Sequence, residues 1–93
     1  MLEIAVLDEA EARTLRAMQA ITAYIARHPL AADSEQGIAQ WWLPAMGVDV
    51  PPASVRAALD RLVMQQVLAR SMVADGGAIY RAAVVAAPPA SGP

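Results

Sequence analysis

Four arginines in the second half of the chain, Arg56, Arg61, Arg70 and Arg81, are the side chains best suited to do chemistry. A guanidinium is always charged, and its planar fork fits a phosphate or the edge of a guanine. Arg56 and Arg61 fall within the run Ala53-Ser54-Val55-Arg56-Ala57-Ala58-Leu59-Asp60-Arg61-Leu62, which has helical amphipathic spacing. Arg70 and Arg81 fall on two alternating segments that bracket Asp75-Gly76-Gly77. Ser54 offers a hydroxyl to the same kind of acceptor. Residues of these types point to binding of a polyanion. Each also has a plainer explanation. Arg56 and Arg61 would pair with Asp60, a glutamate or solvent on a wet helix face, and Ser54 would cap its own first turn. Arg70 and Arg81 would stand on a solvated hairpin, with Gly76 and Gly77 present for backbone geometry.

The chemistry of catalysis is sparse. His28 is the only histidine and there is no cysteine, so a metal or nucleophile site built on those residues lacks partners. His28 is expected to cap carbonyls at a helix end or to meet solvent. Glu3, Asp8, Glu9 and Glu11 cluster, but Asp8 and Glu11 suit the start of a helix. There is neither a phosphate-cradling glycine loop nor a nucleophile motif. The expectation is a binding protein, not an enzyme, without cofactor or metal.

Charge is distributed unevenly. The net charge is −2. Residues 1–50 carry Arg13, Arg16 and Arg27 against seven acids, a balance of −4, whereas residues 51–93 carry four arginines against Asp60 and Asp75, a balance of +2. The arginine-bearing half is thus the basic half, which suits one face turned toward phosphate. Apolar residues make up 57% of the sequence and mean hydropathy is +0.36. A chain of this length buries only about 60–65% of its unfolded surface. The apolar surplus predicts a homodimer, which removes further apolar area from water at about 25 cal/mol per Å². Leu7, Leu15, Met18, Trp41 and Trp42 are the predicted seam. Adjacent helical residues point about 100° apart, so one tryptophan should pack inside and the other should face a partner. A membrane helix needs roughly 20 apolar residues in a row, and no run approaches that. The start lacks the pattern of a signal peptide, and the cysteine-free composition fits a reducing compartment, so the expected location is the cytoplasm.

Several elements position these residues. Residues 1–7 read as a short strand or an extended arm. Asp8 and Glu11 form a capping-box pattern that opens a helix running to about Arg27, with Leu15, Met18, Ile21, Thr22 and Ile25 on the predicted core face and Glu9, Arg13, Arg16, Ala20 and Arg27 opposite. Asp33 or Ser34 caps a second helix through Trp42, stopped by Pro44. Pro51 should be extended, and Pro52 opens a third helix to about residue 66, with Val55, Ala58, Leu59 and Leu62 inward. The segments 68–73 and 78–84 form a hairpin closed at Asp75-Gly76. Residues 87–93 are expected to be a disordered tail.

The segment Ser34 to Leu68 resembles the DNA-binding domain of gluconate-repressor-type (GntR) bacterial regulators, and more broadly the MarR-type winged helices. The residues that carry the likeness are Gly47-Val48, Ala53-Ser54-Val55-Arg56-Ala57-Ala58-Leu59, Leu62 and Val67-Leu68. The resemblance implies that Arg56 meets the DNA backbone or a base and that Ser54 bonds a phosphate. Where that family has a Ser-Arg pair at the helix start, this chain has Pro51-Pro52, which removes a base-reading arginine, a hydroxyl cap and one backbone donor. Elements and resemblance lead to one expectation. Residues 8–86 form a mainly α (α+β) domain, a three-helix winged helix-turn-helix with a C-terminal β-hairpin wing. It would bind double-stranded DNA as a homodimeric bacterial transcriptional regulator, with helix 52–66 in the major groove and hairpin 68–84 as wing. Ser54, Arg56, Arg61, Arg70, Arg81, Gly76 and Gly77 would contact the DNA, and no small-molecule effector is evident. The acidic balance and the proline-started third helix point to an alternative, a winged-helix module for protein–protein interaction or dimerisation that does not bind DNA.

Overall fold

The computed structural model describes residues 8–83. The expected arm, residues 1–7 with Leu7, and the expected tail, residues 87–93, lie outside that range.

The first helix, α1, spans Glu9–Arg27. Asp8 caps it: its carboxylate accepts the Glu11 backbone N–H at 2.7 Å. The reciprocal half of the capping box is not made, because Glu11 turns its carboxylate to Arg61 instead. The helix stops at His28, whose backbone N–H bonds Tyr24 O at 2.8 Å, and Pro29 follows. The buried face differs from the expected one. Ile21 and Ile25 are buried as predicted, but Thr14, Ala17 and Ala20 complete the face, while Leu15 and Met18 are half-buried and Thr22 is exposed. The cause is the packing of α1 against two other helices at once. Alanines at the crossings let helix axes close up, so size is not the guide to what is innermost.

A short strand, β1 (Ala32–Asp33), follows and was not anticipated from the sequence. Two residues carry no readable alternation; the strand exists only because it pairs with a distant partner. The second helix, α2, covers residues 35–45. Ser34 caps it by accepting the Gly37 N–H at 3.1 Å. An α turn at Glu35–Gly37 widens into a π turn over Ile38–Trp42 and closes with an α turn at Leu43–Ala45. Pro44 therefore does not stop the helix, contrary to expectation. The Leu43 N–H reaches back five residues to Ile38 O, and the widened turn relieves the clash that a proline ring makes with the carbonyl four residues earlier.

The third helix, α3, spans Pro52–Met64, with Pro51 extended at its start. Val55, Ala58, Leu59 and Leu62 are buried, as the periodicity predicts, and Ser54 is buried with them. Strands β2 (Leu68–Met72) and β3 (Ala78–Ala82) form the expected antiparallel hairpin, with Arg70 opposite Tyr80. A turn from Val73 to Gly76, closed by the Gly76 N–H on Val73 O at 3.0 Å, joins them, with Gly76 at φ +93°. Strand β1 pairs with the other edge of β3, giving a three-stranded antiparallel sheet in the order β1-β3-β2. The core is a single cluster formed by Ile21, Ile25, Ile38, Trp42, Leu43, Val55, Leu59, Leu62, Leu68 and Tyr80. The described residues form a small α+β domain of three helices and one antiparallel sheet.

Candidate functional site

The residues singled out in the sequence do not converge on one surface. Four of them do: Arg56, Arg70, Gly76 and Gly77 line one cleft of about 490 Å³, together with Ser34, Glu35, Asp60 and Tyr80. Three elements build it: the start of α2, the outer face of α3 and the hairpin. The pleat decides which hairpin side chains belong. In an antiparallel sheet alternate residues share a face, so Leu68 and Arg70 face the same way as their partners Ala82 and Tyr80. Leu68 and Tyr80 enter the core, and Arg70, nearer the tip, meets α3. Its guanidinium lies 3.4 Å from an Asp60 carboxylate oxygen and 5.7 Å from the centre of the Tyr80 ring.

Arg81 sits out of phase with that set. It points to the opposite face of the hairpin and donates to Ser71 Oγ at 3.2 Å. Arg61 lies on the side of α3 that meets α1. Both of its terminal nitrogens donate to Glu11, each at 2.6 Å. These hydrogen bonds, helped by the attraction between the two charges, hold the Glu11 carboxyl below its usual range and raise Arg61 above its own. Ser54, in the first turn of α3, is only 6% exposed and lies on the buried side of that helix.

Within the cleft, Arg56 is the most accessible charge, with 70% of its side chain exposed. Glu35 meets it: Arg56 Nε and Nη2 each lie 3.2 Å from the same Glu35 oxygen. The two cleft arginines therefore each face a carboxylate. Exposed ion pairs of this kind contribute little to stability, but they leave the surface close to neutral. The sequence offers Asp60 or a glutamate as partners of Arg56 and Arg61, but nothing in it points to Glu35 or Glu11. The separations are 21 and 50 residues, far outside the i,i+4 spacing that is legible in a sequence. The remaining outward positions of α3, Pro52, Ala53 and Met64, are uncharged.

The two tryptophans separate as expected. Trp42 is buried and stacks on Tyr24 with ring centroids 4.7 Å apart, so it is not available to a partner. Trp41 is 66% exposed. Beside it in the chain, Gln40 lines a groove of about 420 Å³ between α2 and α3, whose other walls include Ala39, Pro52 and Val55. His28 is exposed at the end of α1 with its ring 4.6 Å from Tyr24. Among the described residues no cluster of His, Cys, Asp and Glu could hold a metal ion, and no helix is long and apolar enough to cross a membrane. Comparison with known proteins gives no match: no family model, no curated protein and no solved structure matches this chain.

Proposed function

We propose that this chain is a winged helix-turn-helix domain that serves as a protein–protein interaction module. The element order α1-β1-α2-α3-β2-β3 and the strand order β1-β3-β2 support the winged-helix reading. In that fold the third helix and the hairpin form the face that reads DNA. The observation that carries the functional reading is the charge of that face. Glu35 meets Arg56 and Asp60 meets Arg70, and Asp75 stands at the hairpin tip. A phosphate backbone would have to displace carboxylates that themselves repel it, whereas duplex affinity rests on uncompensated cations. The domain also offers what protein interfaces favour: an exposed tryptophan, Trp41, and a groove, able to take an apolar side chain, that adjoins the cleft through Glu35 and Gln36.

A second reading has its own support. Arg56, Arg70 and the Gly76-Gly77 tip do share one cleft with the outer face of α3, which is the arrangement a DNA-binding transcriptional regulator would use. Fluorescence anisotropy with a mixed-sequence duplex at about 50 mM salt separates the two. An interaction module gives no salt-sensitive binding, and a photoreactive residue placed at position 41 in cells forms protein adducts. Duplex binding that falls steeply with salt and weakens in Arg56→Ala would overturn the proposal in favour of DNA.

A further inference from the structure

An apolar groove of about 540 Å³, separate from the cleft, lies between α1 and the end of α3. Its walls include Leu15, Met18, Thr22, Ala26, Leu62 and Val67, and no lining residue is charged. Arg16, one turn before Gln19 on α1, is exposed and lies outside the lining. None of the groove residues lines the cleft described above.

We propose that residues 84–88 of the same chain fill this groove. The course of β3 delivers them to it. Strand β2 leaves the end of α3 and β3 returns antiparallel beside it, so the chain arriving at Ala83 heads back past that end. There the Ala83 N–H donates to Val67 O at 3.0 Å, and Val67 is a wall of the groove. The ladder stops at this point, because residue 84 would next pair with Gln66, which stands at φ +65° and is no longer extended. The segment that follows, Val84-Val85-Ala86-Ala87-Pro88, suits the groove in composition and in length. It is uncharged and apolar, and Pro88 brings no backbone N–H that burial would orphan. Gln19 and Gln65 in the lining can each offer a donor and an acceptor to the rest of its backbone. From Leu15 to Ala26 the groove follows α1 for about 16 Å, at about 1.5 Å per residue. Five extended residues cover that length at about 3.3 Å each. Arg16 stays in water beside such an occupant. Residues 1–7 fit less well. They join α1 at Asp8, before the Glu11–Arg61 pair. They would have to double back past that pair to reach Leu15 and Leu62, and they carry Glu3.

Paramagnetic relaxation in the full chain tests the arrangement. The sequence has no cysteine, so Ala87→Cys carries a single nitroxide. With the methionine methyl groups isotope-labelled, the nitroxide should extinguish the signal of Met18 in the groove and spare that of Met72 on the hairpin. The loss should persist when the labelled chain is diluted with an excess of plain chain. Adding Val84→Asp and Val85→Asp, with folding checked by circular dichroism, should restore the Met18 signal, because an uncharged apolar lining does not accept carboxylates. A Met18 signal as sharp as that of Met72, equal broadening of the two, or a Met18 signal still lost in the aspartate variant would overturn the proposal. Filling of the groove by residues 1–7 or by another protein would appear as the first of those outcomes. Broadening of Met18 that vanishes on dilution would place the segment on a second copy and would overturn it as well. None of these outcomes bears on the cleft formed by α2, α3 and the hairpin.

Discussion

Two helices of this domain end in the same hydrogen-bonded motif built on different residues. At the end of α2 the Val48 N–H bonds Leu43 O at 2.9 Å and the Gly47 N–H bonds Pro44 O at 3.0 Å. At the end of α3 the Val67 N–H bonds Leu62 O at 2.9 Å and the Gln66 N–H bonds Val63 O at 3.0 Å. Both are Schellman caps, and both require a left-handed residue after the last turn. Gly47 supplies φ +75°, and Gln66 supplies φ +65°. A Cβ in that conformation costs roughly 1–2 kcal/mol against the following carbonyl. Glycine avoids that clash but loses more chain entropy on folding, roughly 0.5–1 kcal/mol. Gln66 is exposed, so removing its side chain forfeits little. Gln66→Gly is therefore expected to stabilise the domain by on the order of 0.5–1 kcal/mol. Gly47→Ala should destabilise by about 1 kcal/mol, and the loss is one of backbone alone, because a Cβ built at Gly47 meets nothing within 4 Å. For a domain of this size, 1 kcal/mol moves Tm by about 4–8 °C. Gln66→Gly should raise Tm by about 2–8 °C and Gly47→Ala should lower it by about 4–8 °C. Urea melts with unchanged m-values would show that both shifts are changes in stability and not in the compactness of the unfolded chain. If Gln66→Gly lowers stability, or if both substitutions shift Tm in the same direction, backbone strain does not govern these caps.

Other expectations concern the ion pair, the core and the second cap. Folding lowers the Glu11 pKa below its ordinary value of 4.5, chiefly through the hydrogen bonds from Arg61. The contribution of that pair is complete above the ordinary value and is lost as pH falls through the lower folded value. Wild-type stability should thus fall more steeply with acid in that window than the stability of Glu11→Gln, and equal slopes in chemical denaturation would remove the pair from the ledger of acid unfolding. Leu59 is fully buried where α3 crosses the core, and Leu59→Ala should cost about 2–5 kcal/mol in a urea melt. A loss under 1 kcal/mol would mean that the cavity collapses. Ser34→Ala removes the acceptor of the Gly37 N–H and should cost about 1 kcal/mol, and Ser34→Asp should restore most of it.

Much of the architecture was legible because its causes are local. The Asp8 and Ser34 caps, the Pro52 start, the inward run Val55, Ala58, Leu59 and Leu62, and the turn at Asp75-Gly76 each depend on neighbours a few residues away. The sequence alone therefore determines where α1 and α3 begin, which side of α3 is buried and where the hairpin turns. It also determines that one of two adjacent tryptophans must face outward. It could not determine the rest, because those features depend on what packs beside each element. Strand β1 exists only through its pairing with β3. The face of α1 rotated toward Ala17 and Ala20 because two helices press on it, leaving Leu15 and Met18 at the rim. Pro44 is tolerated inside α2 because the turn before it widens. The charge of the candidate site was decided last. Four arginines looked like a common basic surface in the sequence. Only the tertiary fold sends Arg81 to the far face of the hairpin, ties Arg61 to α1, and sets Glu35 and Asp60 against the two arginines that remain, because a carboxylate's partner is fixed by distance in space and not by distance along the chain.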